Sequence, residues 1–436
     1  MLKNLIKFTG LVGGATLLAG PAMAEVSSET AYVFNTFLFL VCGFLVMFMA
    51  AGFAMLESGM VRSKNAATIC LKNISLFSIA GLMYWLVGYN LMYGVEEGGY
   101  VGAFFDIWSA DDSAIAAEEA DFSGGYASGS DWYFQMVFCA TTASIVSGTV
   151  AERMKLWPFL IFTLFLTGFI YPIVGGWEWG TGWLDAMGFS DFAGSTLVHS
   201  TGGWAALAGA VILGARTGKY GPDGSVNPMP GSSMPLATLG AFILWLGWFG
   251  FNGGSQLALG SGADAAAISN IFINTNMAAA SGVVAAMLVS TALYGKVDLT
   301  MALNGAIGGL VSITAEPLTP SIGAAVFIGA VGGVLVVIAV PLLDKFKIDD
   351  VVGAIPAHLV CGIWGTLIVP LTNSDATYGV QAIGVVSVGI FTLIASGILW
   401  SILNATIGIR ISEEEEMAGL DKSELGMEAY PDFSRS

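Results

Sequence analysis

The chain has 436 residues, of which 55% are hydrophobic and 11% are charged, and its mean hydropathy is +0.76. A soluble protein usually carries about 25% charged residues, so this composition excludes a soluble domain and indicates a membrane-embedded protein. The formal net charge of −17 disfavours nucleic acid and favours cations as partners. The four cysteines have no CxxC spacing, which argues against a disulfide framework and a zinc site. No metal and no cofactor is predicted.

The first 24 residues have the layout of a cleaved secretory signal. Lys3 and Lys7 precede an apolar run, and a small-residue site ends at Ala24. The run is shorter than the roughly 17 to 25 residues that a membrane span needs. Cleavage after Ala24 is therefore favoured over the alternative, a retained first helix.

Apolar segments long enough to cross a membrane follow along the rest of the chain. They lie at about residues 31–56, 70–94, 132–151, 156–175, 195–214, 235–253, 266–294, 299–315, 321–343, 351–371 and 379–409. The predicted fold is an all-α membrane protein with eleven transmembrane helices. Its membrane domain covers residues 25–409, and residues 410–436 form a cytosolic tail.

The distribution of charge predicts the orientation of these spans. Lys and Arg concentrate in cytoplasmic loops, and all 13 basic residues after residue 24 fall in or beside alternate loops or in the tail. The N-terminus is therefore predicted outside and the C-terminus in the cytoplasm. Nine acids lie between Glu96 and Asp131, in a loop rich in Ser, Gly and Asp that is predicted to be irregular. These acids would attract cations to a pore mouth, although any one of them can equally be a solvated surface charge.

Two segments share the pattern D-x2-G-x4-H-x3-G. The first runs from Asp191 to Gly203 and the second from Asp350 to Gly362. They open the fifth and tenth predicted spans, which run in opposite directions, so the pattern indicates a 5+5 inverted repeat followed by a final helix. The half-repeats cover about residues 31–214 and 235–371, and the last helix covers 379–409.

The repeated pattern carries the two histidines of the chain, His199 and His358. Each lies eight residues after its aspartate, roughly 12 Å along a helix, and the two start from opposite sides of a core about 30 Å thick. Both rings are therefore predicted to meet near the midplane, where transporters with inverted repeats place their sites. A single buried histidine is most often a packing residue, but ionisable groups in spans are functional by default. Two neutral imidazoles could form a proton relay or a line of hydrogen-bonding stations for a small polar molecule.

Several motifs resemble the ammonium transporters, the Amt, Mep and Rhesus proteins. The segment from Asp191 to His199 is similar to the family's DFAGGxVVH element, the segment from Trp248 to Ser255 to its WFGFNxGS element, and Ala151-Glu152-Arg153 to its AER turn. The motifs occur in order and span nearly the whole chain after the signal. Ser195 stands where the family element has a glycine.

The resemblance implies a role for each matching residue. It implies a recruitment site for ammonium made of Trp179, Ser255, Phe134 and Phe138, a phenylalanine gate of Phe138 and Phe251, paired pore histidines His199 and His358, and Asp191 as structural support. Aromatic faces attract cations by roughly 0.5 to 2 kcal/mol per contact, in agreement with such a site. Lipid contact or core packing is the alternative for any single aromatic residue.

The function implied is transport rather than catalysis. Ammonium would be bound outside, deprotonated, conducted as ammonia along the histidines and reprotonated inside, in the plasma (inner) membrane. An ammonium sensor with little transport is the alternative. No nucleophile is spaced for an intramembrane enzyme, and no carboxylate is predicted well inside a span, as an ion-coupled carrier would have. The resemblance also implies a homotrimer and a PII signalling protein as partner of the tail.

Overall fold

The computed structural model describes residues 26–104 and 106–433, and over these residues the fold is helical with no extended strand. The predicted signal lies outside the described residues. The long helices in chain order are α1 Ser28–Met60, α2 Ser63–Tyr93, α3 Ser128–Thr149, α4 Leu156–Gly176, α5 Ser195–Leu213, α6 Met234–Gly254, α7 Gly262–Tyr294, α8 Leu299–Thr314, α9 Ile322–Lys345, α10 Ile355–Leu371 and α11 Tyr378–Thr406.

Within the described residues, eight of these helices are long and apolar enough to cross a membrane. The other three are α8 and α10, which are shorter, and α3, which carries several polar residues in its 22. Over the described residues the structure is that of an all-helical membrane protein. The count of eleven spans and the inverted repeat remain predictions.

Hydroxyl side chains begin many of the helices. Ser27, Ser261, Ser321 and Thr377 each accept a hydrogen bond from a backbone N–H in the first turn of α1, α7, α9 and α11. Such N-caps satisfy donors that have no partner within the helix. The long loop between α2 and α3 is irregular in its described part, apart from a short 3-10 turn at Ser113–Ala116.

Two observed boundaries differ from the predicted ones in ways that matter for function. Helix α1 continues past the predicted end at residue 56 to Met60, and this continuation carries Glu57, whose residue surface is 1% exposed. Helix α2 begins before the predicted start at residue 70 and buries Lys72. A buried carboxylate therefore lies in the last turn of α1, just past the predicted span, because polarity ended that predicted segment at residue 56.

Residues 407–433 pack against the helix ends at one face of the bundle, which we call the tail face. Asp421 accepts hydrogen bonds from the backbone N–H groups of Ala67 and Thr68 at the start of α2. Glu416 accepts from Arg410 and from Thr217. The tail is thereby joined to the membrane helices by buried carboxylates rather than by apolar packing alone.

The tail face also holds a buried ion cluster. Asp349 accepts three hydrogen bonds from Arg216, through its backbone N–H and two guanidinium nitrogens, at 2.8 to 2.9 Å. Glu152 contacts both Arg62 and Arg216, and Arg153 donates to the backbone oxygen of Asp349. This cluster joins the loops that precede α4, α6 and α10.

Candidate functional site

The first histidine segment begins with a fully buried aspartate that caps α5. Asp191 accepts four backbone hydrogen bonds, from Gly194, Ser195, Thr196 and Leu197, at 2.7 to 3.0 Å. Gly194 has φ +104°, a conformation that favours glycine. The next six residues, Ser195–Ser200, form a π-helical turn that carries His199. The polar groups of Asp191 are thus committed to holding the helix start.

The second histidine segment repeats this construction. Asp350 accepts from the backbone N–H of Ile355 at 2.7 Å and from the Thr149 hydroxyl at 3.0 Å. Gly353 has φ +82°, and the π-helical turn Ile355–Val360 carries His358. The two copies of the sequence pattern therefore adopt matching local structures.

Glycines let the two segments approach each other closely. A Cβ on Gly203 would lie 2.6 to 2.9 Å from atoms of Leu359, and one on Gly362 would lie 2.3 Å from the backbone oxygen of Ser195. Small residues at such crossings are typical of membrane helix packing. The last glycine of each repeated pattern is thus required where α5 meets α10.

The crossing brings the two imidazoles together. Nδ1 of His199 lies 3.1 Å from Nδ1 of His358, and the ring centroids are 5.2 Å apart. At this distance one ring donates and the other accepts, so the pair can share a proton. The pair is buried, with His199 at 0% and His358 at 3% exposure.

Aromatic rings cover the first histidine. The Trp248 ring stacks on His199 with centroids 5.0 Å apart, and the Phe251 ring lies 5.2 Å from it. The indole N–H of Trp248 donates to the Thr314 hydroxyl at 2.8 Å, which fixes that ring. An ion beside His199 would lose its hydration shell and find few polar groups to replace it.

Phe138 and Phe251 stack on the same side of the histidine pair. Their centroids are 3.9 Å apart and their planes differ by 26°. Both side chains are buried, at 1% and 0% exposure. The pair separates His199 from the cavity described next, so a molecule passing between the two would have to displace these rings.

A cavity of about 480 Å³, which we call the aromatic cavity, lies beyond the phenylalanine pair at the face opposite the tail. Phe134, Phe138, Trp179 and Ser255 all line it. The Trp179 ring meets Phe138 edge to face with centroids 6.2 Å apart, and the Ser255 hydroxyl donates to the Phe251 backbone oxygen at 2.9 Å. The four residues predicted for recruitment thus share one cavity.

Asp191 reaches this cavity only indirectly. The indole N–H of Trp179 donates to the backbone oxygen of Asp191 at 3.1 Å, while the Asp191 carboxylate is occupied by the start of α5. The residue therefore orients Trp179 through its main chain.

Sequence reasoning missed several polar residues of the aromatic cavity. Asp131, Gln135, Glu178 and two tyrosines, Tyr89 and Tyr93, contribute to its lining. Asp131 accepts from the Tyr89 hydroxyl and from the Gln135 amide. The first acid of α3 and the tyrosine spacing at the end of α2 were visible in the sequence, but only the fold brings them together. Their carboxylates make the cavity attractive to cations.

A much smaller void lies on the other side of the pair, towards the tail face. It has a volume of about 10 Å³ and is bordered by His358, Phe53, Ile307, Val352 and Glu57, among others. Phe53 lies 6.2 Å from His358 between ring centroids. A space of this size is close to the minimum that holds one water-sized molecule.

Taken in order, the aromatic cavity, the phenylalanine pair, the histidine pair and the small void form one row of features through the bundle. We call this row the conduit. Its middle is apolar except for the imidazoles, so it suits a small neutral molecule that forms hydrogen bonds far better than it suits a hydrated ion.

Comparisons with known proteins agree with this architecture. Residues 37–430 match the model of the Ammonium Transporter Family. The chain is 39% identical to ammonium transporter Amt2 of Archaeoglobus fulgidus, over 96% of this chain and 93% of the relative, and 40% identical to a putative ammonium transporter of Synechocystis sp., over 94% and 93%.

Solved structures give the same picture. A Sensor Amt Protein superposes with a TM-score of 0.84 at 36% identity, covering 92% of this chain and 100% of that chain. Mep2 of Candida albicans superposes with a TM-score of 0.78 at 27% identity, covering 93% and 92%. The chain therefore belongs to the ammonium transporter family, a family of transporters and not of enzymes.

Proposed function

We propose that the protein conducts ammonia through the conduit after binding ammonium in the aromatic cavity. Ammonium is held there by the faces of Trp179 and Phe138 and by the Ser255 hydroxyl, with Phe134 beside them. It loses a proton before the Phe138–Phe251 pair, and ammonia passes along His199 and His358. It regains a proton on the tail side, which the basic loops assign to the cytoplasm.

The observation that carries this proposal is the 3.1 Å contact between two buried imidazoles in apolar surroundings. A neutral imidazole can donate to and accept from ammonia through its ring nitrogens. Potassium is similar in size to ammonium but has no proton to lose. Selectivity then follows from chemistry, because a bare cation pays several kcal/mol in the middle of the membrane.

The assembly proposed with this function follows the family likeness. The chain forms a homotrimer in the plasma (inner) membrane, with residues 25–409 as the membrane domain and 410–436 as a cytosolic tail that a PII signalling protein contacts. Residues 1–24 direct the N-terminus outward and are removed.

Sensing is the second candidate function, and one observation favours it. Among the solved structures with high similarity is a Sensor Amt Protein, so the same fold is compatible with a signalling role. In that case the aromatic cavity would bind ammonium, and the tail, held by Asp421 and Glu416, would move.

Ammonium-evoked current in reconstituted vesicles distinguishes the two. Transport predicts a current or lumenal pH change that saturates with ammonium, persists in excess potassium and is reduced by methylammonium in competition. Ammonium-dependent movement of a tail label without flux would overturn transport and support sensing.

A further inference from the structure

A buried carboxylate borders the conduit on the tail side of the histidine pair. Glu57 lies on α1 with 1% exposure, and it lines the small void together with His358. Phe53, whose ring faces His358, precedes Glu57 by four residues. The two side chains therefore lie on the same face of α1. The carboxylate is thus about one helical turn further along the conduit than the second imidazole.

One oxygen of this carboxylate is held and the other is free. Oε2 accepts from the Ser147 hydroxyl at 2.8 Å. Oε1 is buried and makes no hydrogen bond, although the Asn73 side chain lies close to the carboxylate. Unsatisfied buried carboxylate oxygens are costly, so a group left in this state at the edge of a pathway is a candidate for a functional role.

A buried cation compensates the charge of Glu57 without occupying its free oxygen. Lys72 on α2 is 2% exposed, and its ammonium donates to the Ser147 backbone oxygen at 3.0 Å and lies 4.2 Å from the centre of the Phe159 ring. Ser147 therefore stands between the two charges and contacts each of them. Other charged groups near this side are engaged elsewhere: Arg153 donates to backbone oxygens, and Asp350 caps α10.

We propose that Glu57 is the proton acceptor on the tail side of the histidine pair. The inference rests on the proposed function, in which ammonium releases its proton before the phenylalanine pair and the imidazoles can carry it. An N–H bond of the protonated pair breaks, and an O–H bond forms at Oε1 of Glu57, directly or through one water-sized molecule for which the void has room.

This step leaves a neutral imidazole pair and a neutral carboxylic acid. The acid then gives its proton to ammonia or water at the tail face, which restores the carboxylate. No electron is transferred and no further reactant is needed. Lys72 and Ser147 are positioning residues, because they hold the carboxylate and its charge without contacting the moving proton.

The decisive variant is Glu57→Gln, which keeps the size and hydrogen-bonding shape of the side chain but cannot accept a proton in this way. Two quantities are measured on the same reconstituted vesicles: ammonium-evoked current and ammonia permeation, the latter from the lumenal pH change under an ammonia gradient. We expect the current to fall by about 100-fold or more, the size of a lost general acid–base group, while ammonia permeation is retained. Glu57→Asp restores part of the current.

Controls separate this role from a structural one. Glu316→Gln neutralises another buried carboxylate, 6% exposed, in the loop after α8, which lines neither the aromatic cavity nor the small void, and leaves both readouts unchanged. Ser147→Ala removes only the hydroxyl that orients Oε2, and lowers the current less than Glu57→Gln does. This milder variant keeps the test open if Glu57→Gln does not assemble.

Unchanged current in Glu57→Gln overturns the inference, as does a parallel loss of current and permeation in properly assembled protein. If the unaltered protein shows neither current nor permeation, the proposed function itself fails. The two failures are therefore distinguishable.

Discussion

The two histidine segments, residues 191–203 and 350–362, share a local structure and differ in their surroundings. In each, an aspartate caps the helix start, a glycine of positive φ turns the chain, and a π-helical turn carries the histidine. Yet His199 is covered by stacked aromatic rings, whereas His358 borders a void. The repeated residues place the two rings, and the neighbours that are not repeated make the two ends of the conduit chemically unlike.

The residues just before the two aspartates, Ser190 and Asp349, also differ in the side chains that hold them. Ser190 is anchored by the neutral amide of Gln381, which donates to its backbone oxygen and accepts from its N–H. Asp349 is anchored by Arg216 inside the buried ion cluster. Ser190 is thus held by a neutral side chain and Asp349 by a charged one, so removing these two anchors should have unequal effects on stability.

Removing the charged anchor should have the largest effect. Asp349→Ala removes the carboxylate that pairs with the buried Arg216 guanidinium and leaves it only Glu152 as an acidic partner, and loss of one partner of a buried ion pair costs about 3–5 kcal/mol. Gln381→Ala removes neutral hydrogen bonds and should cost about 1–2 kcal/mol. The free energy of unfolding in detergent, from denaturant titration, measures both. Equal losses would contradict the distinction between the anchors.

Removing the two capping aspartates, Asp191 and Asp350, should have the next largest effects on stability. Asp191→Ala orphans four backbone N–H groups at α5, while Asp350→Ala orphans the backbone N–H of Ile355 and a Thr149 hydroxyl at α10. We expect a loss of about 3 kcal/mol for the first and about 1–2 kcal/mol for the second. The same titration measures them, and a larger loss for Asp350→Ala would show that the second segment depends more on its cap than the hydrogen bonds indicate.

The crossing between the segments can be tested at one glycine. Gly362→Ala would place a Cβ 2.3 Å from the Ser195 backbone oxygen, and overpacking of this kind costs about 1–3 kcal/mol. Gly397→Ala on α11 is the control, because nothing lies within 4 Å of its added Cβ, and it should be neutral or slightly stabilising. The free energy of unfolding and the ammonium flux are measured for both variants. An unchanged stability and a normal flux in Gly362→Ala would show that α5 and α10 are not in close contact at this glycine.

The pH dependence of stability should show the smallest effect. Burial acts to raise the pKa of Asp349, but the hydrogen bonds and charge of Arg216 and the charge of Arg153 hold it below its ordinary value. A pKa lowered by folding contributes stability above the unfolded value of about 3.9, and this contribution is lost as the pH falls below it. The decrease in melting temperature from about pH 7 to about pH 3 should therefore be larger for the unaltered protein and for Gln381→Ala than for Asp349→Asn. If melting temperature depended on pH in the same way in all three proteins, the Asp349 carboxylate would not stabilise the fold through its charge.

The sequence predicted the parts of this site that depend on repetition and helix geometry. The spacing of Asp191, Gly194 and His199, repeated at Asp350, was sufficient to place the imidazoles together. The motif residues Phe134, Phe138, Trp179 and Ser255 also share one cavity, as the family likeness implied.

The sequence did not predict the contributions that arise from contacts between distant segments. Glu57 stands near the polar end of α1, where hydropathy alone stops the span, and its burial depends on Ser147 and Lys72 from other helices. In the sequence Asp131 similarly resembles a surface acid of the preceding loop, and only the fold shows that the tyrosines of α2 pack against it. Burial of a charge depends on its partners, and these are separated from it by 15 to 90 residues in the chain.

Replacement of the two histidines tests the central claim most directly. Ammonium-evoked current and selectivity over potassium are measured in vesicles for His199→Ala, His358→Ala and the Asp variants at both positions. We expect the current to fall by about 100-fold or more, selectivity over potassium to weaken, or both, in each variant. Current and selectivity that survive all these changes unaltered would contradict conduction through the imidazole pair.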